Sequence, residues 1–157
     1  MSVLLRSLVF SVLFIGTVLV ALPYWIIGRG DRAPVPLTVR AIGLLLGAAG
    51  AAGVLWCIRD FAVRGRGTPA PWDPPKHLVV AGPYRYVRNP MYVASLIVLA
   101  GEALFFGSSG VAIYAAALWL AYHLRVVLSE EPALRRQFGP EYEAYRAVVP
   151  RWIPRFA

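Results

Sequence analysis

Between Arg6 and Arg29 the chain carries no charged side chain, and Ser7 to Ile27 (SLVFSVLFIGTVLVALPYWII) is predominantly apolar. A helix rises 1.5 Å per residue, so this run reaches the roughly 20 residues needed to cross a hydrocarbon core about 30 Å thick. The feature recurs. Ala41 to Ile58 (AIGLLLGAAGAAGVLWCI) is uncharged, and from Asn89 to Leu124 the acidic and basic side chains are Glu102 and His123 alone. Gly107, Ser108, Ser109 and Gly110 divide this last run, which predicts a hairpin of two shorter helices. The expected architecture is all-α: an integral membrane helical bundle, one domain over 1–157, with about four transmembrane helices near 7–27, 41–58, 91–106 and 111–128. The hairpin helices sit at the lower length limit for a span, which a re-entrant half or a thin bilayer would accommodate. A secretory signal is the competing reading of the first run, since Arg6 resembles an n-region. The run exceeds the usual apolar h-region of about 7 to 15 residues, and no small-x-small cleavage site follows it.

Composition agrees with residence in lipid. Apolar residues make up 59% and charged ones 15%, against about 25% charged in soluble domains. The 16 Lys and Arg exceed the 8 Asp and Glu, but they flank the apolar runs, where they meet headgroups and set orientation; nucleic acid is not the expected partner. Arg59, Arg64, Arg66, Lys76, Arg85 and Arg88 lie between the second and third runs, and Arg135, Arg136, Arg146, Arg151 and Arg155 follow the fourth. An even number of spans puts both groups on one side with Arg6, so loop 59–90 and the C-terminus are expected in the cytoplasm of an inner-membrane protein. Arg29, Arg32 and Arg40 run against that bias, and Arg125 is expected to snorkel. Cys57 is the single cysteine, so no internal disulfide or cysteine metal cluster can form, and its apolar setting favours packing over reactivity.

Gly43, Gly47, Gly50, Ala51 and Gly53 place small residues at helical spacing in the second run. In lipid such residues let two backbones approach closely, within a bundle or between two copies. The loop 59–90 contains Pro69, Pro71, Pro74, Pro75, Pro83 and Pro90, which deny it a long helix and make it an interfacial cap, with an extended piece at 77–80 before a Gly82-Pro83 turn. In the tail 129–155, Pro132 opens one short cytoplasmic helix and Gly139 closes it; Pro140 opens a second and Pro150 stops it. Tyr142 and Tyr145 share a face of the second helix, as packing residues.

GPYRYVRNPMY at 82–92 resembles the Gly-x-Tyr-x-x-x-Arg-His-Pro-x-Tyr motif of the isoprenylcysteine carboxyl methyltransferase and phospholipid methyltransferase superfamily. Glu130-Glu131 followed by Phe138-Gly139, Tyr142 and Tyr145 is similar to the Glu-Glu element and FGxxYxxY tail of the same proteins. The likeness covers about residues 76–155. It implies an S-adenosylmethionine-dependent methyltransferase with a lipophilic acceptor. The cofactor would be enclosed at the mouth of the hairpin by Asn89, Pro90 and Tyr92 from loop 76–92 and by Glu130 and Glu131 from the tail. Asn89 replaces the histidine common in the carboxyl methyltransferases, and Ala94 stands where many have glycine; an amide donates and accepts hydrogen bonds but cannot act as a base.

The residues themselves permit this chemistry. Glu130 and Glu131 can accept from the cofactor's ammonium or ribose, Tyr92 can lie against its adenine or sulfonium, and Arg88 can pair with its carboxylate or with a lipid phosphate. His123 lies ~9 Å along its helix from Ser129, whereas Glu102 lies ~18 Å from Pro90. His123 is therefore the candidate for cofactor contact or proton acceptance, or else an interhelical hydrogen bond, and Glu102 reads as a deeper structural partner. No metal is required for methyl transfer. Two other readings fit a helical hairpin: an NADPH-dependent membrane reductase of the steroid 5-alpha-reductase type, which the acidic pair disfavours because a 2′-phosphate wants arginine, and a non-catalytic membrane subunit or transporter.

Overall fold

A computed structural model of the chain describes residues 13, 15–30, 32–61, 63 and 76–155. The start of the first expected helix (7–12 and 14) and the proline-rich stretch 64–75 lie outside the described residues.

Helix α1 (Thr17–Arg29) opens with a wide π-helical turn, Thr17–Ala21, before its regular part. Pro23 follows this turn and has no N–H to give, so a local change of hydrogen-bond register there accommodates it. Helix α2 (Leu37–Asp60) runs unbroken for 24 residues despite its glycines. Helix α3 (Pro90–Phe106) begins on proline, where the missing N–H costs nothing, and ends on Gly107 in the left-handed conformation with φ 62°. A side chain on Gly107 would collide with the Ala33 backbone, so this turn and the α1–α2 connection pack directly together. The Ala33 N–H donates to the Gly107 carbonyl at 3.0 Å. Ser108 then caps α4 (Ser109–Arg125), its hydroxyl accepting from the Val111 N–H at 3.3 Å.

The largest departure from the expected fold follows α4. A short helix beginning afresh at Pro132 was expected; instead α4 runs on through a π-helical turn, Val126–Glu130, directly into α5 (Glu131–Phe138). The wider turn removes the ordinary i to i−4 partner that Pro132 could not have served. Gly139, with φ 50°, then breaks the rod as expected, and α6 (Pro140–Val148) turns back. Residues 77–80 form no strand; a 3₁₀ turn, Gly82–Arg85, follows them.

Two of these rods are long and apolar enough to cross a membrane, Leu37–Asp60 and Ser109–Phe138; Thr17–Arg29 and Pro90–Phe106 are apolar but shorter. Only 22% and 17% of the apolar windows in the two long rods are buried, so their remaining apolar surface faces outward, including Leu44, Leu45, Leu55, Ile113 and Leu120. Water does not tolerate such continuous apolar faces, and lipid does. The chain is all-α and membrane-helical.

The glycine stripe packs within the chain. A Cβ on Gly101 of α3 would lie 2.5 Å from the Gly47 nitrogen and 2.6 Å from the Gly43 carbonyl oxygen of α2; one on Gly50 would lie 2.7 Å from the Val98 nitrogen. Backbone therefore rests on backbone where α2 crosses α3. Around this crossing Val18, Leu19, Ile27, Val54, Ala94, Leu99 and Val111 form the main core. At the other end Cys57, Val79 and Tyr84 form a second, smaller one that seats the 82–85 turn. Cys57 is a buried free thiol, as its apolar setting predicts.

Candidate active site

Asn89 ends the loop and Pro90 starts α3, while Glu130 ends the π-helical turn and Glu131 starts α5. The turn at Gly107 brings the start of α3 and the end of α4 to the same end of the bundle. There the two motifs meet in two adjoining polar groups.

The first group surrounds Glu131, which is buried. Arg88 Nη1 donates to its Oε1 at 3.0 Å and also to the Tyr142 hydroxyl at 3.3 Å. From the tail, Arg151 Nε donates to Oε1 at 2.7 Å and Nη2 to Oε2 at 3.0 Å. Burial pushes the Glu131 carboxyl up, but the Arg151 hydrogen bond and the charges of Arg88, Arg151 and Arg135 outweigh it and hold it below the ordinary value. Both carboxylate oxygens are engaged. Glu131 is thus the post to which the loop and tail are tied.

The second group surrounds Glu130, one residue earlier and about 100° round the helix. Tyr92 donates its hydroxyl to Oε1 at 2.5 Å, and Arg125 Nε donates to the same oxygen at 2.7 Å. Oε2 accepts no hydrogen bond among the described residues, and the side chain keeps 30% exposure. The Tyr92 ring stacks on Tyr122 with centroids 4.2 Å apart. Arg125 thus folds back onto Glu130 rather than only reaching for headgroups.

The tail closes over both. The Arg88 N–H donates to the Pro150 carbonyl at 2.9 Å and the Arg155 N–H to the Tyr86 carbonyl at 3.0 Å, so residues 150–155 run alongside 86–88. Asn89 Nδ2 donates to the Arg151 carbonyl at 3.0 Å, a bond that uses the donor end of the amide. Tyr142 is 2% exposed, and the Tyr145 hydroxyl donates to the Tyr84 carbonyl at 2.6 Å. Burial, foremost, pushes the Tyr145 phenol up, so it stays a donor. The packing expected of these two tyrosines is present, with hydrogen bonds added.

His123 is not joined to either group. Trp152 Nε1 donates to its Nδ1 at 3.2 Å, so that nitrogen is taken up as an acceptor. Trp119 stacks on its other side at 5.7 Å. Glu102 lies in α3 away from the cluster, with Oε2 buried and unpartnered among the described residues.

Of the predicted site residues, Arg88, Asn89, Tyr92, Glu130 and Glu131 come together, with Pro90 starting the helix that carries Tyr92. Arg125, Tyr122, Tyr142 and Arg151 belong to the same assembly. Arg151 stands between Pro150 and Pro154, and that spacing of stiff residues was the available sign of a fixed tail. A cleft of about 320 Å³ opens beside Arg88, lined by residues 146–150 and 153–155.

This arrangement defines a membrane-helical protein whose polar loop and tail close one end of a helical hairpin. The chain belongs to the phospholipid methyltransferase family, whose family model matches residues 38–141. Over 78 residues it is 37% identical to the protein-S-isoprenylcysteine O-methyltransferase of Schizosaccharomyces pombe, covering 49% of this chain and 33% of that one. It is 29% identical over 121 residues to the nickel-cobalt-cadmium resistance protein NccN of Alcaligenes xylosoxydans xylosoxydans, covering 77% and 51%. It is 28% identical over 125 residues to the cobalt-zinc-cadmium resistance protein CzcN of Cupriavidus metallidurans, covering 80% and 52%. The chain thus spans between a third and about half the length of these relatives. No solved structure matches it. The domain implies S-adenosylmethionine as cofactor.

The residues at the hairpin mouth fit such a cofactor. Arg88 Nε is a buried donor with no partner among the described residues, suited to a carboxylate, and Glu130 Oε2 is an open acceptor suited to an ammonium or a ribose hydroxyl.

Proposed function

We propose that this protein is an S-adenosylmethionine-dependent methyltransferase acting on a lipophilic, membrane-held acceptor. The observation that carries the reading is the meeting of Arg88, Tyr92, Glu130 and Glu131 at one end of α3 and α4, with an unpartnered donor and an open acceptor left over. Family membership favours methyl transfer over the NADPH-reductase and non-catalytic readings.

Bound there, S-adenosylmethionine would supply a methyl group on a sulfonium centre, with a neutral thioether as leaving group. The protein's work is then to align two reactants and keep water out. Arg88, with its unpartnered Nε, would hold the cofactor carboxylate, and Glu130 would take its ammonium or ribose. The Tyr92 and Tyr122 rings supply the apolar and π-rich surface beside them. Glu131 and Arg151 hold the tail as a cover, and Asn89 and Pro90 fix the entry into α3. A carboxylate or thiolate acceptor needs no base, whereas an amine must lose a proton, for which His123 or a glutamate is available; Trp152 must leave His123 Nδ1 before that nitrogen can accept.

The same reading makes the chain a single membrane domain of four spans, α1 to α4, with the loop, the tail and the site on the cytoplasmic side, so that the soluble cofactor arrives from water and the acceptor from lipid. Incubating membranes that contain the protein with methyl-labelled S-adenosylmethionine is the test. Label in an organic-extractable product, reduced with Glu130→Gln at sub-saturating cofactor, is the expected result; NADPH retention by the purified protein without S-adenosylmethionine binding would overturn the reading.

A further inference from the structure

The three arginines that oppose the charge bias of the chain cluster at the end of the bundle away from the Glu130–Glu131 site. Arg29 lies over the Trp25 ring at 4.3 Å and is engaged there. Arg32 and Arg40 line a cleft of about 500 Å³ whose other walls are Ala33, Pro34, Phe105 and Phe106. Both arginines are exposed, and neither has an acidic partner among the described residues. The first turn of α2, which forms one side, carries no carboxylate. Phe105 and Phe106 meet edge to face at 4.9 Å and give the cleft an apolar floor.

The walls are tied together. The Ala33–Gly107 hydrogen bond and the Arg32–Ser108 bridge fix the α1–α2 connection against the α3–α4 turn. Two guanidiniums with no carboxylate partner among the described residues are thus held beside an aromatic floor where two apolar helices reach the membrane edge. A free anion would use the guanidiniums and leave the phenylalanines bare. A small apolar molecule would do the reverse. A phosphodiester carried on an acyl glycerol uses both at once.

We propose that this cleft binds one anionic phospholipid of the leaflet opposite the methyl-transfer site, its phosphate between Arg32 and Arg40 and the start of its acyl chains over Phe105 and Phe106. The inference rests on membrane residence and is independent of the methyl-transfer reading. It also accounts for arginines on the face where the topology rule disfavours them.

The test is lipid retention. The protein is released from bilayers of phosphatidylcholine doped with phosphatidylglycerol, and the lipid that stays bound is measured by native mass spectrometry. Phosphatidylglycerol is expected to be retained in preference to phosphatidylcholine. The preference is expected to fall about fivefold in Arg32→Gln or Arg40→Gln and about 25-fold in the double variant, and to persist in Arg136→Gln, an exposed arginine on α5. Equal loss in Arg136→Gln, or no loss in the double variant, would overturn the proposal. Displacement of the lipid by millimolar inorganic phosphate would make the cleft a site for free anions and overturn it as well. Should the double variant fail to insert, the single variants carry the same test. S-adenosylmethionine binding serves as the independent reading of the other site and is expected to be unchanged in all of them.

Discussion

Arg151 grips Glu131 with two parallel hydrogen bonds, Nε to Oε1 at 2.7 Å and Nη2 to Oε2 at 3.0 Å. The carboxylate is buried, and its remaining ionic partner is Arg88 at 3.0 Å. A tail that follows α6 is thereby fixed to the start of α5, and Trp152 comes to rest on His123. Removing Arg151 leaves a buried charge with one partner instead of two. Because the arginine is itself 32% exposed, the Arg151→Ala loss is expected to be about 2 kcal/mol, below the roughly 3 to 5 kcal/mol of a fully buried broken pair. Thermal unfolding in detergent checks the loss. Tryptophan fluorescence checks the tail: emission should shift to the red in Arg151→Ala and stay near wild type in Arg151→Lys, which keeps the charge but one fewer directed bond.

The acid response of the same post has a definite sign. The arginines hold the Glu131 carboxyl below its ordinary value, so the folded state binds its proton less readily than the unfolded chain does. Its contribution is fully present above the ordinary glutamate pKa of about 4.3 and is lost as pH falls through the depressed folded value. Wild-type melting temperature should therefore drop on acidification through that window. Glu131→Gln should be less stable at neutral pH and lose less on acidification. Parallel curves for the two proteins would show that Glu131 is not the group responsible.

How much of this was legible in the sequence depends on the distance over which each feature is decided. Run lengths and Gly107 gave the helices and the hairpin, because apolar length and a left-handed turn are local properties. Pro132 misled. A proline is a local stop signal, yet the widened turn at Val126–Glu130 carries the rod past it, and nothing in that stretch announces a π-helical turn. Glu130 and Glu131 read as an equivalent pair; on a helix they face different ways, so one ties the tail and the other stays open. Arg151 as a partner of Glu131 was not legible, because a contact across 20 residues of chain is set by how α5 and α6 fold back.

The α2–α3 crossing offers a comparison between two glycines in contact with each other. A Cβ on Gly101 would strike the backbone of Gly43 and Gly47, whereas a Cβ on Gly47 meets nothing within 4 Å. Gly101→Ala must push the helices apart and is expected to cost about 1 to 3 kcal/mol or more, since backbone cannot rotate away as a side chain can. Gly47→Ala is expected to be neutral or to stabilise by roughly 0.5 kcal/mol, from helix propensity. Thermal unfolding of the two variants in the same detergent measures the contrast; equal losses would mean the crossing lies elsewhere.

Glu130 gives the sharpest test of the site because its two oxygens have different work. Oε1 is occupied by Tyr92 and Arg125, while Oε2 is the open acceptor. Glu130→Gln keeps the shape and removes the charge, replacing one oxygen by a donor. A cofactor ammonium or ribose hydroxyl held there loses a charge-assisted bond worth about 1.5 to 3 kcal/mol, which is roughly a 10- to 100-fold weaker S-adenosylmethionine affinity by calorimetry. Tyr92→Phe removes a donor to Oε1 and leaves Oε2 untouched, so its effect on affinity should be smaller, about two- to fivefold, by loosening the carboxylate's position. The order of the two variants carries the argument. If Tyr92→Phe weakens binding as much as Glu130→Gln, the cofactor meets the tyrosine side of the pair rather than Oε2. If neither changes binding while both proteins remain inserted and folded, the pair only fastens α3 to α5, and the cofactor site must be sought in the cleft beside Arg88.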